Sequence, residues 1–277
     1  MQYSRFVRLL PLLLYLLSAA FSISIKASQQ QTQVVELLFD KDYAPASYVS
    51  EDGSLKGFHQ QILKLIHDEL QGYSLAFKPV DWRTALKQIE SGDAVGVVGP
   101  FFLGDLRPYM HPYSRPLYNE KVIVICNPGV ELVEPVIWPT SFANKLMLNV
   151  QGFDGWLDNE ARHRRFTALM NFLEVPNITV AAQMVSKGNA DCSLYEELAL
   201  AYTRQNAGPE TPLNVIQVAH ITAQPIHVGY SFAALQKAEN AHLQDFIRQF
   251  DFAVYKLQQE GKIEQVLTKF KQNISAD

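Results

Sequence analysis

Short apolar runs alternate along this chain with segments whose apolar residues recur at helical spacing. Runs at 34–39, 75–80, 95–98, 122–125, 146–150, 178–181, 191–194, 215–221 and 226–232 read as buried strands. Between them, Phe58, Ile62, Leu65 and Ile66 mark a helix. A second spans 82–89, with Leu86 and Ile89 on one face, and Gly92 closes it as a C-terminal glycine does. Gly152-Phe153-Asp154-Gly155 leads into a helix expected to run to about residue 172, and another covers 196–204. From about Ala234 the chain is helical. Leu243, Phe246, Ile247, Phe250, Val254 and Leu257 form a stripe ended by Gly261, and a short helix follows at 262–270. Strands alternating with helices predict α/β layering around a largely parallel sheet. Asn127-Pro128-Gly129 divides the pattern into two such units.

The N-terminus departs from this pattern. Arg5 and Arg8 precede an apolar run at 9–17, and Ser18, Ala19 and Ala20 follow it. That order is the signature of a secretory signal peptide over residues 1–27, cleaved after Ser22 or Ala27. The run is shorter than the roughly 20 residues a membrane span needs. No Cys follows it, so attachment through a lipidated N-terminal Cys is excluded. Export makes the periplasm the expected location. The polar stretch 28–33 reads as a disordered leader.

Charge narrows the function classes. The net charge of −4 leaves no basic footprint for nucleic acid, and no later segment reads as a membrane span. Cys126 and Cys192 are the two cysteines, too few for a metal site of the cysteine type. An exported chain can oxidise them, but the reading favours two buried thiols. The seven histidines are scattered. His163 lies among arginines on what reads as a solvated helix face, and His59 and His67 read as ordinary surface residues. No catalytic signature is present: no G-x-S-x-G, no H-E-x-x-H and no phosphate-cradling glycine loop. Tyr43, Trp82, Phe101, Phe102, Tyr113, Phe153 and Trp156 instead fall at or beside strand ends, as do Asp40, Arg107, Asp154 and Glu196. Ligands of open α/β sheets bind beyond the carboxyl ends of strands. Any one of these aromatics is more often core than site; their repeated coincidence with strand ends carries the reading.

Four segments then resemble a known family. They are Asp40-Lys41-Asp42-Tyr43-Ala44-Pro45 with Glu51-Asp52-Gly53-Ser54-Leu55-Lys56-Gly57-Phe58; Ser91-Gly92 with the strand to Gly99; Arg107, five residues, then Tyr113-Ser114-Arg115-Pro116; and Gly188-Asn189-Ala190-Asp191 with Glu196 five places on. In order and spacing they are similar to the periplasmic substrate-binding proteins of polar amino-acid ABC importers. The resemblance implies a two-lobed clamp of the type II binding-protein fold, with two strand crossovers as the hinge. Lobe one would hold 33–121 plus 228–277, and lobe two 122–227.

The resemblance also implies residue roles. Arg107 would grip a ligand carboxylate with its planar guanidinium, and its removal would leave folding nearly untouched. The alternative is a structural arginine at the surface, paired with Asp105 or with a helix end. Glu196 would accept the ligand ammonium, and Tyr43 and Trp82 would sandwich the ligand side chain. Asp40 would face a cationic group. Gly99, Phe101 and Phe102 would border the amino group through their backbone. Gly152 and Phe153 would offer N–H groups to the carboxylate. The pattern departs at Val95, Phe102, Gly104 and Phe153-Asp154, which removes hydroxyls and adds aromatic surface. Asp154 would repel a carboxylate placed nearby. A larger, more apolar or more cationic ligand is the consequence.

The function implied is binding of a small polar ligand, an amino acid or related amine, for ABC import. The expected partners are that ligand and an ABC permease, with no cofactor, no metal, no nucleic acid, no membrane insertion and a monomeric state. Two alternatives stand beside it: a periplasmic sensor with the same fold, and an enzyme on this scaffold. The latter would need a placed acid/base pair that the motifs do not supply.

Overall fold

The computed structural model describes residues 32–154, 168–208 and 212–275. The signal peptide, Trp156 and the basic stretch around His163 lie outside them.

The chain begins β1(Gln33–Asp40), β2(Asp42–Tyr43), β3(Ser47–Val49), β4(Leu55–Lys56), α1(Phe58–His67), β5(Tyr73–Val80), α2(Trp82–Ser91), β6(Gly96–Phe101) and β7(Met110–Tyr113). It continues β8(Tyr118–Cys126), β9(Leu146–Val150), β10(Asn171–Val175), α3(Ile178–Ser186), β11(Cys192–Glu196) and α4(Glu197–Gln205). It closes with β12(Ile216–Ser231), α5(Phe232–Leu235), α6(Leu243–Gln259) and α7(Lys262–Ser275).

One sheet runs in the order β10-β9-β11-β8-β12-β6-β1-β5, with β7 added beside β12. Its two ends are parallel, β5-β1-β6 and β10-β9-β11. Its middle is antiparallel, because β8 pairs β11 and β12, and β12 pairs β6. The sheet is therefore mixed rather than largely parallel.

Alternation along the strands builds the core on both faces. In β1, Leu37 and Phe39 face a cluster with Ile62 and Ile66 of α1 and Phe246, Phe250 and Leu257 of α6. Leu38 between them turns to Trp82, Ala85 and Ile89 of α2. In β8, Ile123 and Ile125 face Ala181, Val185 and Leu200, whereas Val122, Val124 and Cys126 face Phe142 and Met147. These are two lobes with separate cores, and β8 and β12 run from one to the other. Tyr118 and Val228 pack with the first core; Ile125 and Val218 pack with those of the second lobe.

Several expectations need correction. Residues 178–181 are not a strand but the start of α3. Their β-branched composition mimics one, yet Ile178, Ala181, Ala182 and Val185 are the buried set, at helical spacing. Asn177 caps the helix by accepting from Val180 N at 2.9 Å. The helix expected up to residue 172 cannot reach it, since Asn171 already pairs with Leu146 in β10. Residues 215–221 and 226–232 are largely one long strand, β12, and 232 opens α5. It passes the interruption at Pro225 with two register irregularities elsewhere in its pairing with β8. The final helical stretch is broken, with α5 ending at Leu235 and α6 starting at Leu243. Gly92 does end α2, in the left-handed conformation at φ 78° that glycine adopts without steric cost.

The cysteines are not two thiols. Antiparallel pairing sets Cys126 of β8 directly opposite Cys192 of β11, and the two form a disulfide. Sequence spacing hid this, because they are 66 residues apart. Reducing this bond, or replacing both residues by Ser, removes the constraint on the unfolded chain. Urea unfolding should then show a loss of about 2–5 kcal/mol; equal stability of the oxidised and reduced protein would contradict a structural role.

Candidate functional site

Strand carboxyl ends and helix starts converge on one cavity between the lobes. Asp40 ends β1, Trp82 opens α2, Phe101 ends β6, Gly152 follows β9 and Glu196 ends β11, and all five line it. Tyr43, Gly99, Arg107 and Phe153 join them. The structure thus brings together nine of the eleven residues singled out in the sequence. Asp154 does not line the cavity but reaches Arg107 from its edge. Phe102 does not belong: it is 61% exposed and stacks edge-on with Tyr113, centroids 5.0 Å apart. The strand ends at Phe101, so the next side chain turns outward.

Arg107 is not a surface residue. It is 4% exposed, and its partner is Asp154 rather than Asp105. Nη2 donates to the Gly152 carbonyl at 2.7 Å and lies 3.6 Å from the Asp154 carboxylate. The guanidinium also lies 5.7 Å from the Trp82 ring centroid. Trp82 Nε1 donates to the same carbonyl at 2.9 Å. Gly152 makes this approach possible: at φ 78°, a Cβ there would stand 3.0 Å from Leu86 Cδ1 and 3.2 Å from Trp82 Cδ1. These bonds and the ring contact bear on the expectation that Arg107 could be removed at no cost to the fold.

Phe153 stands edge-on to both aromatics expected to flank a ligand. Its ring centroid is 5.2 Å from Tyr43 and 5.9 Å from Trp82. Asn149 holds the segment by donating from Nδ2 to the Phe153 carbonyl at 3.0 Å. The chain thus places its own aromatic ring beside Tyr43 and Trp82, and its own carbonyl and carboxylate on Arg107.

Three acids supply the remaining charge of the described lining, which is otherwise mostly apolar. Burial pushes the Asp40 carboxyl up to about 7, against the N–H of Asp42, which its Oδ1 accepts at 3.0 Å. Glu196 accepts from Ala199 N, capping α4, yet desolvation still raises it to about 7. Glu120 and His59 are among the lining residues that escaped the sequence reading. Glu120 of β8 is buried, and burial together with the Glu196 charge raises its carboxyl well above the usual range. The same two carboxyls and burial raise the Tyr43 phenol. His59, expected at the surface, is fully buried instead, where desolvation lowers its imidazole to about 3 and keeps it neutral. Its Nε2 meets the Tyr118 hydroxyl at 2.7 Å, and its Nδ1 has no hydrogen-bond partner. Spacing did carry the signal: His59 shares a helix face with Ile62, Leu63 and Ile66, and Glu120 shares the inward alternation of Val122 and Val124.

The Ser114 motif is structural at this point in the chain. Its Oγ accepts from Val228 N at 2.9 Å, and its carbonyl meets His227 Nδ1 at 2.6 Å, fastening the β7–β8 turn to β12.

A cavity closed between two α/β lobes, lined by charged groups from both, defines a solute-binding clamp. The sequence model of the bacterial extracellular solute-binding proteins, family 3, matches residues 35–273, and the chain belongs to that family. No curated protein matches the sequence. Among solved structures it is similar to an ancestral arginine-binding protein bound to arginine, with TM-score 0.68 and 17% identity, covering 86% of this chain and 97% of that one. It is similar also to a histidine kinase sensor domain with similarity to periplasmic binding proteins, with TM-score 0.70 and 15% identity over 87% of this chain and 97% of the other. The periplasmic VFT2 domain of BvgS from Bordetella pertussis matches with TM-score 0.65 and 14% identity, covering 86% of this chain and 93% of that domain.

The buried carboxyls make stability depend on pH. Asp40 binds its proton more tightly folded, at about 7, than unfolded, at 3.8. Its favourable contribution is complete below about pH 4 and is lost as the pH rises to about 7. Asp40→Asn should therefore stabilise the ligand-free protein relative to wild type more at pH 8 than at pH 4, by a few kcal/mol. A difference that is the same at both pH values, measured by urea unfolding, would contradict this.

Proposed function

We propose that this chain is an exported binding protein that closes on a small polar ligand bearing amino groups and delivers it to the permease of an ABC importer. The observation that carries this reading is the cavity between the lobes, to which both contribute and whose described charged groups are three carboxyls and one guanidinium. Lobe one is taken as 33–121 plus 228–277 and lobe two as 122–227, with β8 and β12 as the hinge. Asp40, Glu120 and Glu196 receive the ligand amines, Tyr43 and Trp82 contact its carbon skeleton, and Arg107 helps to hold the closed state. The family match supports solute binding. A similar solved structure, the substrate-binding protein of an amino acid ABC transporter, supports the import role. The leader supports the periplasm as the place of action. The two sensor domains favour a second reading, in which the same clamp reports its ligand to a signalling partner. A permease and ATPase encoded beside the gene would favour import.

A ligand that binds only the folded protein stabilises it by about 2.7 kcal/mol at a hundredfold excess over Kd. A thermal-shift screen of amino acids, amines and short peptides should therefore yield at least one compound with a concentration-dependent rise in Tm. That rise should be lost in Trp82→Ala. A screen with no shift at millimolar concentrations would overturn the reading.

A further inference from the structure

Resting on the reading that this cavity binds an amine-bearing ligand, we propose that the ligand is a short α,ω-diamine with no carboxylate, one ammonium taken by Asp40 and the other by Glu120 and Glu196.

The described lining serves a carboxylate poorly. Among the described residues Arg107 is the one guanidinium lining the cavity, and its Nη2 is already engaged by the Gly152 carbonyl at 2.7 Å and the Asp154 carboxylate at 3.6 Å. A ligand carboxylate brought to Arg107 would stand beside Asp154 and compete with it for the guanidinium. Like charges in a desolvated site repel strongly.

Among the described residues no lysine lines the cavity; Lys41 and Lys271 act on Asp40 and Glu196 from outside it. Among the described residues, Asp40, Glu120 and Glu196 form no ion pair within the cavity, while exposed acids such as Asp81 and Glu197 have lysine partners at 3.0 and 2.8 Å. Burial drives these carboxyls toward their protonated forms, and an ammonium brought into the cavity would offset that by favouring the charged forms.

The acids form two poles. Asp40 sits on β1, and its charged neighbours are Asp42, Asp81 and Lys41. Glu120 sits on β8 and feels Glu196. β1 and β8 are three strand spacings apart in the sheet, roughly 14 Å between backbones. One ammonium cannot serve both poles, but a molecule with one at each end can.

His59 adds an independent sign of a donor-rich ligand. Its ring lines the cavity, is 1% exposed, and leaves Nδ1 unpartnered. In the tautomer that donates Nε2–H to Tyr118, Nδ1 is a lone-pair acceptor without a donor. An ammonium carries three N–H donors and no acceptor.

Size agrees. The cavity is about 70 Å³, and at roughly 10–15 Å³ for each water-sized group it holds about five to seven. Butane-1,4-diamine has four carbons and two nitrogens; pentane-1,5-diamine has one carbon more. The apolar stretch between the poles is supplied by Tyr43, Trp82 and Val98.

The test is titration calorimetry on the purified chain with compounds that differ by one group. Butane-1,4-diamine and pentane-1,5-diamine should bind at least tenfold more tightly than ornithine and lysine, which add only the α-carboxylate. Butylamine, with one ammonium, should bind at least tenfold more weakly than the diamines. Glu120→Gln should weaken diamine binding at least tenfold while the Tm of the ligand-free protein holds or rises, which a merely structural role would not allow. Asp154→Ala, which releases Arg107, should narrow the gap between lysine and pentane-1,5-diamine. Ornithine or lysine binding as tightly as the diamines would overturn the inference, as would undiminished diamine binding by Glu120→Gln. Either result leaves the proposed function standing. Binding of some other compound but of neither diamine would overturn the inference alone, and no binding by any compound would overturn both.

Discussion

The antiparallel pairing of β8 with β12 is the constraint on which the rest of this molecule depends. Each strand belongs to two cores at once. β8 runs from Tyr118, packed under α1, to Ile125, packed under α3. β12 returns beside it from Ile216 to Ser231. Everything that meets at the cavity is referred to this ribbon. Glu120 lies on it, Glu196 pairs beside it opposite Val122, and His59 is held against it through Tyr118. The disulfide pins the far end of β8 to β11, so the second lobe is anchored where the ribbon enters it.

From that geometry follows an electrostatic arrangement that is poor for the empty protein. Three carboxyls are desolvated in one cavity, and the available guanidinium is consumed by a loop of the opposite lobe. Such an arrangement is the physical basis for the proposal that a cation of matching shape fills the cavity. Gly152, Phe153 and Asp154 act alongside it as a built-in occupant, with a carbonyl and a carboxylate on Arg107 and an aromatic ring against Tyr43 and Trp82. The segment closes the lobes on each other and shapes what room is left. Selectivity in such a site comes as much from the group it rejects as from the groups it receives.

Much of this was legible in the chain itself. Apolar runs bounded by turn residues place most strands of the sheet, because a strand buried on both faces has little choice of composition. The failures share one cause. At 178–181, Ile-Thr-Val suggests a strand, and only the burial of Ala181, Ala182 and Val185 shows a helix. At 171–172, the end of the expected helix gave way to the demand of β9 for a parallel neighbour. Local preference was overruled by tertiary packing in both places.

At the site, the sequence determined which positions lie at strand ends, and so brought Asp40, Trp82, Phe101, Gly152 and Glu196 to notice, together with Arg107. It also determined that Asp154 stands where a carboxylate would be unwelcome. Only the tertiary structure decided that Phe102 points away, that the inward faces carrying His59 and Glu120 meet in one cavity, and that Cys126 meets Cys192. The physical reason is the same for each. The direction of a side chain is set by the pleat and by the face a helix buries, but what it meets there depends on segments tens of residues distant. Arg107 shows the difference most clearly. Its spacing to Tyr113-Ser114 marks it as a cleft residue, yet its partner is set by the approach of Gly152 and Asp154 from the other lobe, which no local pattern encodes.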